Sequence, residues 1–251
     1  KAANRAEYEA LARALAADER KGVKAALKSA ARRFAAEDAE AARLEGMYSF
    51  QAKLAGGGIA VGLDEVGRGP VAGPLAIGAV VLPDDPRVEG VNDSKQLSAE
   101  RREEIAAVVR EVAIAWDIEY IQPQEIDEHG MTWALRTANL RAIAAIEEQL
   151  SAKGASLDAV LLDGNAQHLD AREVNIVKGD GKCASIAAAS IIAKVDRDAL
   201  MCRYAEQFPQ YGFESNKGYA SAEHIEAIKQ HGLSPVHRAS FCRAWTQETL
   251  F

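Results

Sequence analysis

Two short apolar runs constrain this chain most. Residues 59–66 and 75–82 read as β-strands, joined by the Gly/Pro-rich stretch Gly67-Arg68-Gly69-Pro70. Residues 113–121 alternate as a third strand. Strands and helices then interleave. Residues 98–112 are predicted to be a helix with Ser98 as its N-cap and Arg101 and Arg102 early in it. Residues 131–150 carry a 3.6-residue period (Leu135, Leu140, Ile143, Ile146, Leu150), so a long amphipathic helix is expected. Two short strands follow at 159–163 and 174–177, then helices at 183–208 and 221–231. This order predicts an α/β fold, a mixed central sheet flanked by helices on both faces.

Residues 1–55 differ in kind. They hold 19 alanines and no proline, with Tyr8, Leu11, Leu15, Val23, Leu27, Phe34, Leu44 and Tyr48 at helical spacing. Two or three short helices are predicted, the first broken from the second at Gly22, the third weakened by Gly46, all ending at Gly56-Gly57-Gly58. This all-helical N-terminal extension, residues 1–57, is basic, with 11 Lys/Arg against 8 Asp/Glu up to residue 55. Its Lys21, Lys24, Lys28, Arg32 and Arg33 are candidate contacts for a partner or nucleic acid. Residues 56–170 carry 9 Lys/Arg against 20 Asp/Glu, and residues 171–251 carry 10 against 9. An acidic middle argues against a sequence-blind DNA coat, which binds by neutralising many phosphates. It fits an enzyme that gathers carboxylates around metal ions. No window approaches 18 uncharged apolar residues, so no membrane span is expected. Cys183, Cys202 and Cys242 lie too far apart for a disulfide framework or a CxxC site, which points to a reducing, cytoplasmic compartment.

Four acidic residues fall at the ends of predicted sheet strands. Asp64 and Glu65 close the first apolar run, Asp163 closes the strand 159–163, and Asp180 follows the strand 174–177 within Lys178-Gly179-Asp180-Gly181-Lys182. Adjacent strand residues point to opposite faces, so Asp64 and Glu65 can share a site only where the strand ends or bulges; the glycines after them supply that freedom. Each alone also suits a polar strand end, a turn or a helix cap. Together they offer hard oxygen donors and no His or Cys partner, which favours Mg²⁺ or Mn²⁺ over zinc. Such a cluster suits two-metal phosphoryl chemistry, which requires no nucleophilic side chain.

At these residues the sequence closely resembles bacterial ribonuclease HII, the type 2 RNases H. The segments that carry the resemblance are 62–74 (GLDEVGRGPVAGP), 93–98 (DSKQLS), Asp163-Gly164, 176–199 (IVKGDGKCASIAAASIIAKVDRDA), 211–219 (YGFESNKGY) and 234–241 (SPVHRASF). They run in family order and span nearly all of residues 58–241. The resemblance implies an RNase H-like catalytic domain at 58–208 and a C-terminal helical segment at 209–251 completing the substrate surface. It implies a metal-dependent endonuclease, with two Mn²⁺ or Mg²⁺ ions, that cuts RNA in RNA/DNA hybrids and 5′ to a ribonucleotide embedded in duplex DNA. Asp64, Glu65, Asp163 and Asp180 match the family's catalytic metal ligands. Gly67, Arg68 and Gly69 match the tripeptide that senses the ribose 2′-OH, and Tyr219 matches the tyrosine that bonds this hydroxyl. Ser94, Lys95, Lys178 and Lys182 match phosphate contacts. Gly181 stands where many relatives carry Ala or Ser.

Two other readings compete. Ribonuclease HIII cuts longer hybrids, but its glycine motif usually lacks the Arg found here as Arg68, and its N-terminal domain holds a small sheet. A non-catalytic nucleic-acid-binding module would not require four carboxylates, since clustered negative charge repels phosphate. Asp196 and Asp198 read as surface ion pairs, His237 and Arg238 as packing or pairing residues, and the three cysteines as small buried or half-buried hydrophobes. The chain ends Gln247-Glu248-Thr249-Leu250-Phe251, which looks like the short peptide that docks bacterial replication and repair enzymes on the sliding clamp. The alternative is that Trp245, Leu250 and Phe251 cover the enzyme's own core. A monomer is expected.

Overall fold

The computed structural model describes residues 4–246, which form two compact units, one ending at Gly46 and the other beginning at Met47. The clamp-like peptide Gln247, Leu250 and Phe251 lies outside the described residues.

The first unit is a helical hairpin. Helix α1 (Arg5–Ala14) is capped by Asn4, whose side chain accepts the Glu7 N–H, and α2 begins at Lys21 and runs to Leu54. Tyr8 and Phe34 pack ring to ring at 5.1 Å, and Arg5 and Arg33 cover the Phe34 ring. The expected break at Gly22 and weak point at Gly46 are both absent: α2 is one 34-residue helix. Each glycine costs about 1 kcal/mol in a helix interior, and the Ala, Glu, Arg and Leu residues around it outweigh that. The break comes at residues 15–20 instead, where Asp18 accepts the backbone N–H of Arg20.

The second unit holds a five-stranded sheet of β1 (Ala60–Val66), β2 (Leu75–Val81), β3 (Ala115–Ile121), β4 (Ala159–Asp163) and β5 (Glu173–Ile176). The order is β3-β2-β1-β4-β5. The pairs β3-β2 and β2-β1 are antiparallel, and β1-β4 and β4-β5 are parallel. Helices α3 (Ala99–Val112), α4 (Pro123–His129), α5 (Met131–Ala152), α6 (Ala184–Gln207), α7 (Phe213–Asn216), α8 (Ala222–His231) and α9 (Ala239–Thr246) complete it. Ser98 caps α3 as expected. Helix α4 is unforeseen; its Asp127 accepts the Ala239 and Ser240 N–H groups and so caps α9. Helix α5 is amphipathic as expected, with Leu135, Ile143, Ile146 and Leu150 buried, but Leu140 falls off that stripe and faces solvent.

Alternation divides the sheet cleanly. The odd-numbered side chains of β1 and β2 (Val61, Leu63, Leu75, Ile77, Ala79, Val81) meet Ile143, Ile146 and Leu150 of α5 in the main core. The even face lies against α6, and two glycines set the approach. A Cβ on Gly62 would overlap the backbone of Ser185 and Ile186, and one on Gly78 would overlap the carbonyl of Ala189. Helix α6 answers with the wholly buried run Ala187-Ala188-Ala189. Backbone against backbone leaves no room to relax. Gly78→Ala should therefore destabilise the fold by about 3 kcal/mol, read as a lower urea midpoint with an unchanged m-value.

Candidate active site

The parity of β1 decides where its two acids go. Asp64 shares the row of Gly62 and faces α6, where the Ser190 hydroxyl hydrogen-bonds it; its Oδ1 also accepts the Glu65 N–H at 2.8 Å. Glu65 belongs to the opposite row. Leu63 pairs with Leu162, so β4, parallel to β1, delivers Asp163 beside Asp64 at the carboxyl ends of both strands. Asp163 Oδ1 accepts the Gly179 N–H at 2.6 Å and anchors the single turn Gly179–Gly181, which carries Asp180. A side chain at Gly179 would crowd Ile186 and Asp163 Oδ1. Two strand ends and one turn thus place the four carboxylates singled out from the sequence in one neighbourhood, near enough for their charges to act on one another.

Their electrostatics are those of crowded acids. Burial, with the charges of Glu65, Asp163 and Asp180, pushes Asp64 up to about 8 against the pull of Ser190. Burial, then the charge of Asp163, also raises Asp180, and burial raises Glu65 while Arg68 opposes it. Among the described residues no three His, Cys, Asp or Glu side chains are drawn together closely enough to hold one ion. The donor set is nonetheless all carboxylate oxygen, half-shielded from water and mutually repelling, and it fits hard divalent cations. Arg68 Nη1 lies 3.6 Å from Glu65 and Lys95 Nζ lies 4.0 Å from Asp180, both reaching in from exposed positions.

The segment after β1 is held from beneath by two buried arginines, Arg197, which the sequence left unassigned, and Arg238, read from it only as a packing or pairing residue. Arg238 directs all five of its N–H bonds at main-chain carbonyls: Nη2 to Gly67 (2.6 Å) and Gly73, Nη1 to Arg68 and Pro70, Nε to Gly73. Arg197 donates to the carbonyls of Ala72, Pro74 and Lys217. With its carbonyls turned inward, the loop leaves Arg68 and Gly69 exposed beside the carboxylates. Gly67 has φ +88°, and a Cβ there would strike the Arg197 side chain. Gly218, at φ +87°, sits so close to the Ala72 carbonyl that only glycine fits, and Tyr219 follows it onto the surface. The Tyr219 ring comes within 3.7 Å of where a Gly69 Cβ would lie. Arg197 had a legible signal, because it continues the buried α6 face of Ala193 and Met201 at four-residue spacing. Arg238 had none.

The remaining candidates divide. Lys95, Lys178 and Lys182 are exposed on the acidic rim; Lys182 Nζ bonds the Val177 carbonyl, and Lys178 takes a left-handed backbone, φ 57°. The Ser94 hydroxyl instead points inward and meets Ser190 Oγ at 3.0 Å, while Arg102 grips the Ser94 carbonyl. Asp196 pairs with Arg110 and Asp198 with Lys194, as expected. Cys183 and Cys242 are buried, but Cys202 is exposed, 3.0 Å from Lys217 Nζ, because it falls on the outer face of α6.

A mixed sheet whose central strand ends in crowded carboxylates, with a stapled glycine loop at their side, defines a ribonuclease H-type endoribonuclease. Solved structures share the architecture. Ribonuclease H2 from Pyrococcus horikoshii OT3 is 27% identical, with a TM-score of 0.62, covering 74% of this chain and 96% of that one. The PCNA:RNase HII complex from Archaeoglobus fulgidus gives 29% identity and a TM-score of 0.61, covering 76% and 98%. Ribonuclease HII of Ruminiclostridium cellulolyticum is 43% identical over 212 residues, 84% of this chain and 81% of that protein. Residues 61–244 match the family model of Ribonuclease HII and residues 1–55 that of the Ribonuclease HII N-terminal domain. The chain belongs to the ribonuclease HII family, not the ribonuclease HIII family, and that membership decides against the non-catalytic reading. Among the described residues no helix is long and apolar enough to cross a membrane.

Proposed function

We propose that this endoribonuclease cuts RNA/DNA hybrids and the 5′ side of ribonucleotides embedded in duplex DNA, in the service of DNA repair. The observation that carries the reading is the pairing of exposed Tyr219 with exposed Gly69, in a loop whose Gly67, Arg68 and Pro70 carbonyls are held by Arg238, beside Asp64, Glu65, Asp163 and Asp180. A sugar can rest against the neighbouring ring and loop while its 5′ phosphate meets the carboxylates. Two Mg²⁺ or Mn²⁺ ions held by those four residues would supply the Lewis acidity that activates a water and stabilises the departing oxygen. In the hydrolysis, water oxygen bonds to phosphorus and the bond from phosphorus to the upstream O3′ breaks, leaving a 3′-OH and a 5′-phosphate. Gly67, Arg68 and Gly69 present main-chain groups to the 2′-OH, and the Tyr219 phenol bonds it. Lys95, Lys178 and Lys182 hold flanking phosphates. Ser94 supports the Lys95 turn from inside. Residues 58–208 act as the catalytic domain and residues 209–251 complete the substrate surface, in a cytoplasmic monomer. The Gln247, Leu250 and Phe251 pattern, and the clamp-bound relative from Archaeoglobus fulgidus, support docking of the tail on a sliding clamp.

The deciding experiment is Mn²⁺- and Mg²⁺-dependent cleavage of a duplex with one embedded ribonucleotide, beside an all-DNA control. A single cut 5′ to the ribonucleotide is expected, and an uncut duplex alongside efficient cutting of long hybrids would defeat the proposal. Tyr219→Ala should lower kcat/KM on the embedded ribonucleotide by about tenfold to a hundredfold, the scale on which a lost hydroxyl contact is felt. Affinity for the all-DNA duplex should hardly change. Equal losses for both would make Tyr219 a packing residue.

A further inference from the structure

Behind Tyr219 lies a feature that the chemistry above does not use. His224 of α8 and His237, in the turn before α9, are both buried, with Nε2 facing Nε2 at 3.0 Å. The Ser234 N–H meets His237 Nδ1 at 3.0 Å, and His224 Nδ1 meets the Tyr219 carbonyl at 2.7 Å. Tyr211 and Phe213 wall the pair with ring contacts of 4.7–6.1 Å.

The ends of this chain fix every proton in it. A peptide N–H can only donate, so His237 Nδ1 is bare and accepts from the Ser234 N–H, and the Ser234 hydroxyl, 2.8 Å from the same nitrogen, must donate there too. The neutral ring then carries its proton on Nε2 and donates it to His224 Nε2. That leaves the His224 proton on Nδ1, aimed at the Tyr219 carbonyl, which can only accept. A second proton on either ring would set donor against donor. Burial, with His224 as a like neighbour, presses His237 down to about 4, and burial lowers His224 too.

The far end is tied to the glycine loop. His237 bridges Ala72, the Val236 carbonyl accepts the Gly73 N–H, and the Val71 carbonyl accepts the Arg238 N–H. We infer that His224 and His237 are positioning residues, a neutral one-way hydrogen-bond relay that sets the Tyr219 main chain against the 71–73 segment and so fixes the gap in which the ribose is read. The inference rests on the proposed role of Tyr219 at the 2′-OH.

The test is a double-mutant cycle on the embedded-ribonucleotide duplex. His224→Ala should lower kcat/KM by about tenfold, the size of one lost hydrogen bond, with all-DNA affinity unchanged. In a Tyr219→Ala background the same substitution should cost nothing further. His224→Asn, whose amide nitrogen can take the place of Nδ1 and donate to the Tyr219 carbonyl, should recover part of the loss. Additive losses in the double variant, or no rescue by Asn, would overturn the relay while leaving the reading of Tyr219 intact. A harmless Tyr219→Ala would sink both. Imidazole nitrogen NMR of the unaltered protein gives a check that needs no variant: His237 should carry its proton on Nε2 and His224 on Nδ1 at neutral pH. A charged ring, or the opposite tautomers, would end the proposal.

Discussion

Asp64→Asn should abolish cleavage, a fall of about a thousandfold or more under saturating Mg²⁺ or Mn²⁺, since chemistry of this kind depends on charged oxygen ligands. Binding of the uncut hybrid should survive, because the amide keeps the shape of the carboxyl and the phosphate contacts lie elsewhere. The same variant has a second, opposite signature. In the metal-free protein Asp64 holds its proton to about pH 8, whereas an ordinary aspartate loses it near 3.8. The native state therefore binds more protons than the unfolded chain between those values, and stability falls as pH rises from about 4 to about 8. Below that window the stability is fully present; above it the loss is complete. Asn cannot ionise, so Asp64→Asn should flatten this part of the melting-temperature profile, and divalent ions should stabilise the wild type more at pH 8 than at pH 5. Near-normal cleavage by the variant, or an unchanged pH profile, would remove Asp64 from the centre of the site.

Much of this arrangement was visible in the residue order, for identifiable reasons. Apolar runs the length of one strand, closed by acids and glycines, mark both β1 and β4 and the end at which Asp64, Glu65 and Asp163 gather. The continuity of α2 through Gly22 and Gly46 was not visible, because a glycine's cost is local while the helix propensity around it is summed over many turns. Helix α4 was missed because seven residues are too few to show a period. The hidden part of the site is hidden for a different reason. Arg197 and Arg238 bond only main-chain carbonyls around the loop, and His224 and His237 end on a carbonyl and an N–H. Such partners have no side-chain identity, so even where the spacing showed burial, as at Arg197, the letters did not say what would be bonded. The Ser94 hydroxyl likewise takes its direction from Ser190, 96 residues away.

Arg238 is where that hidden part can be probed hardest. Arg238→Ala would leave the carbonyls of Gly67, Arg68, Pro70 and Gly73 without their guanidinium partner, beside a cavity the size of the lost side chain. Each buried polar group deprived of a partner costs about 1–3 kcal/mol, so the loss should reach about 4 kcal/mol even after partial relaxation. Chemical denaturation should show it as a sharply lower midpoint. Arg238→Lys separates fold from function. The ammonium keeps the charge but has three donors on a compact head in place of five in a planar fork, so it cannot span Gly67 and Gly73 while also reaching Pro70. The fold should then persist with the loop slack. Cleavage at an embedded ribonucleotide should fall further than cleavage of a long hybrid, where neighbouring phosphates and many 2′-OH groups compensate for an imprecise loop. If Arg238→Lys lowers both activities in equal proportion, the arginine serves the stability of the loop and not the reading of a single ribose.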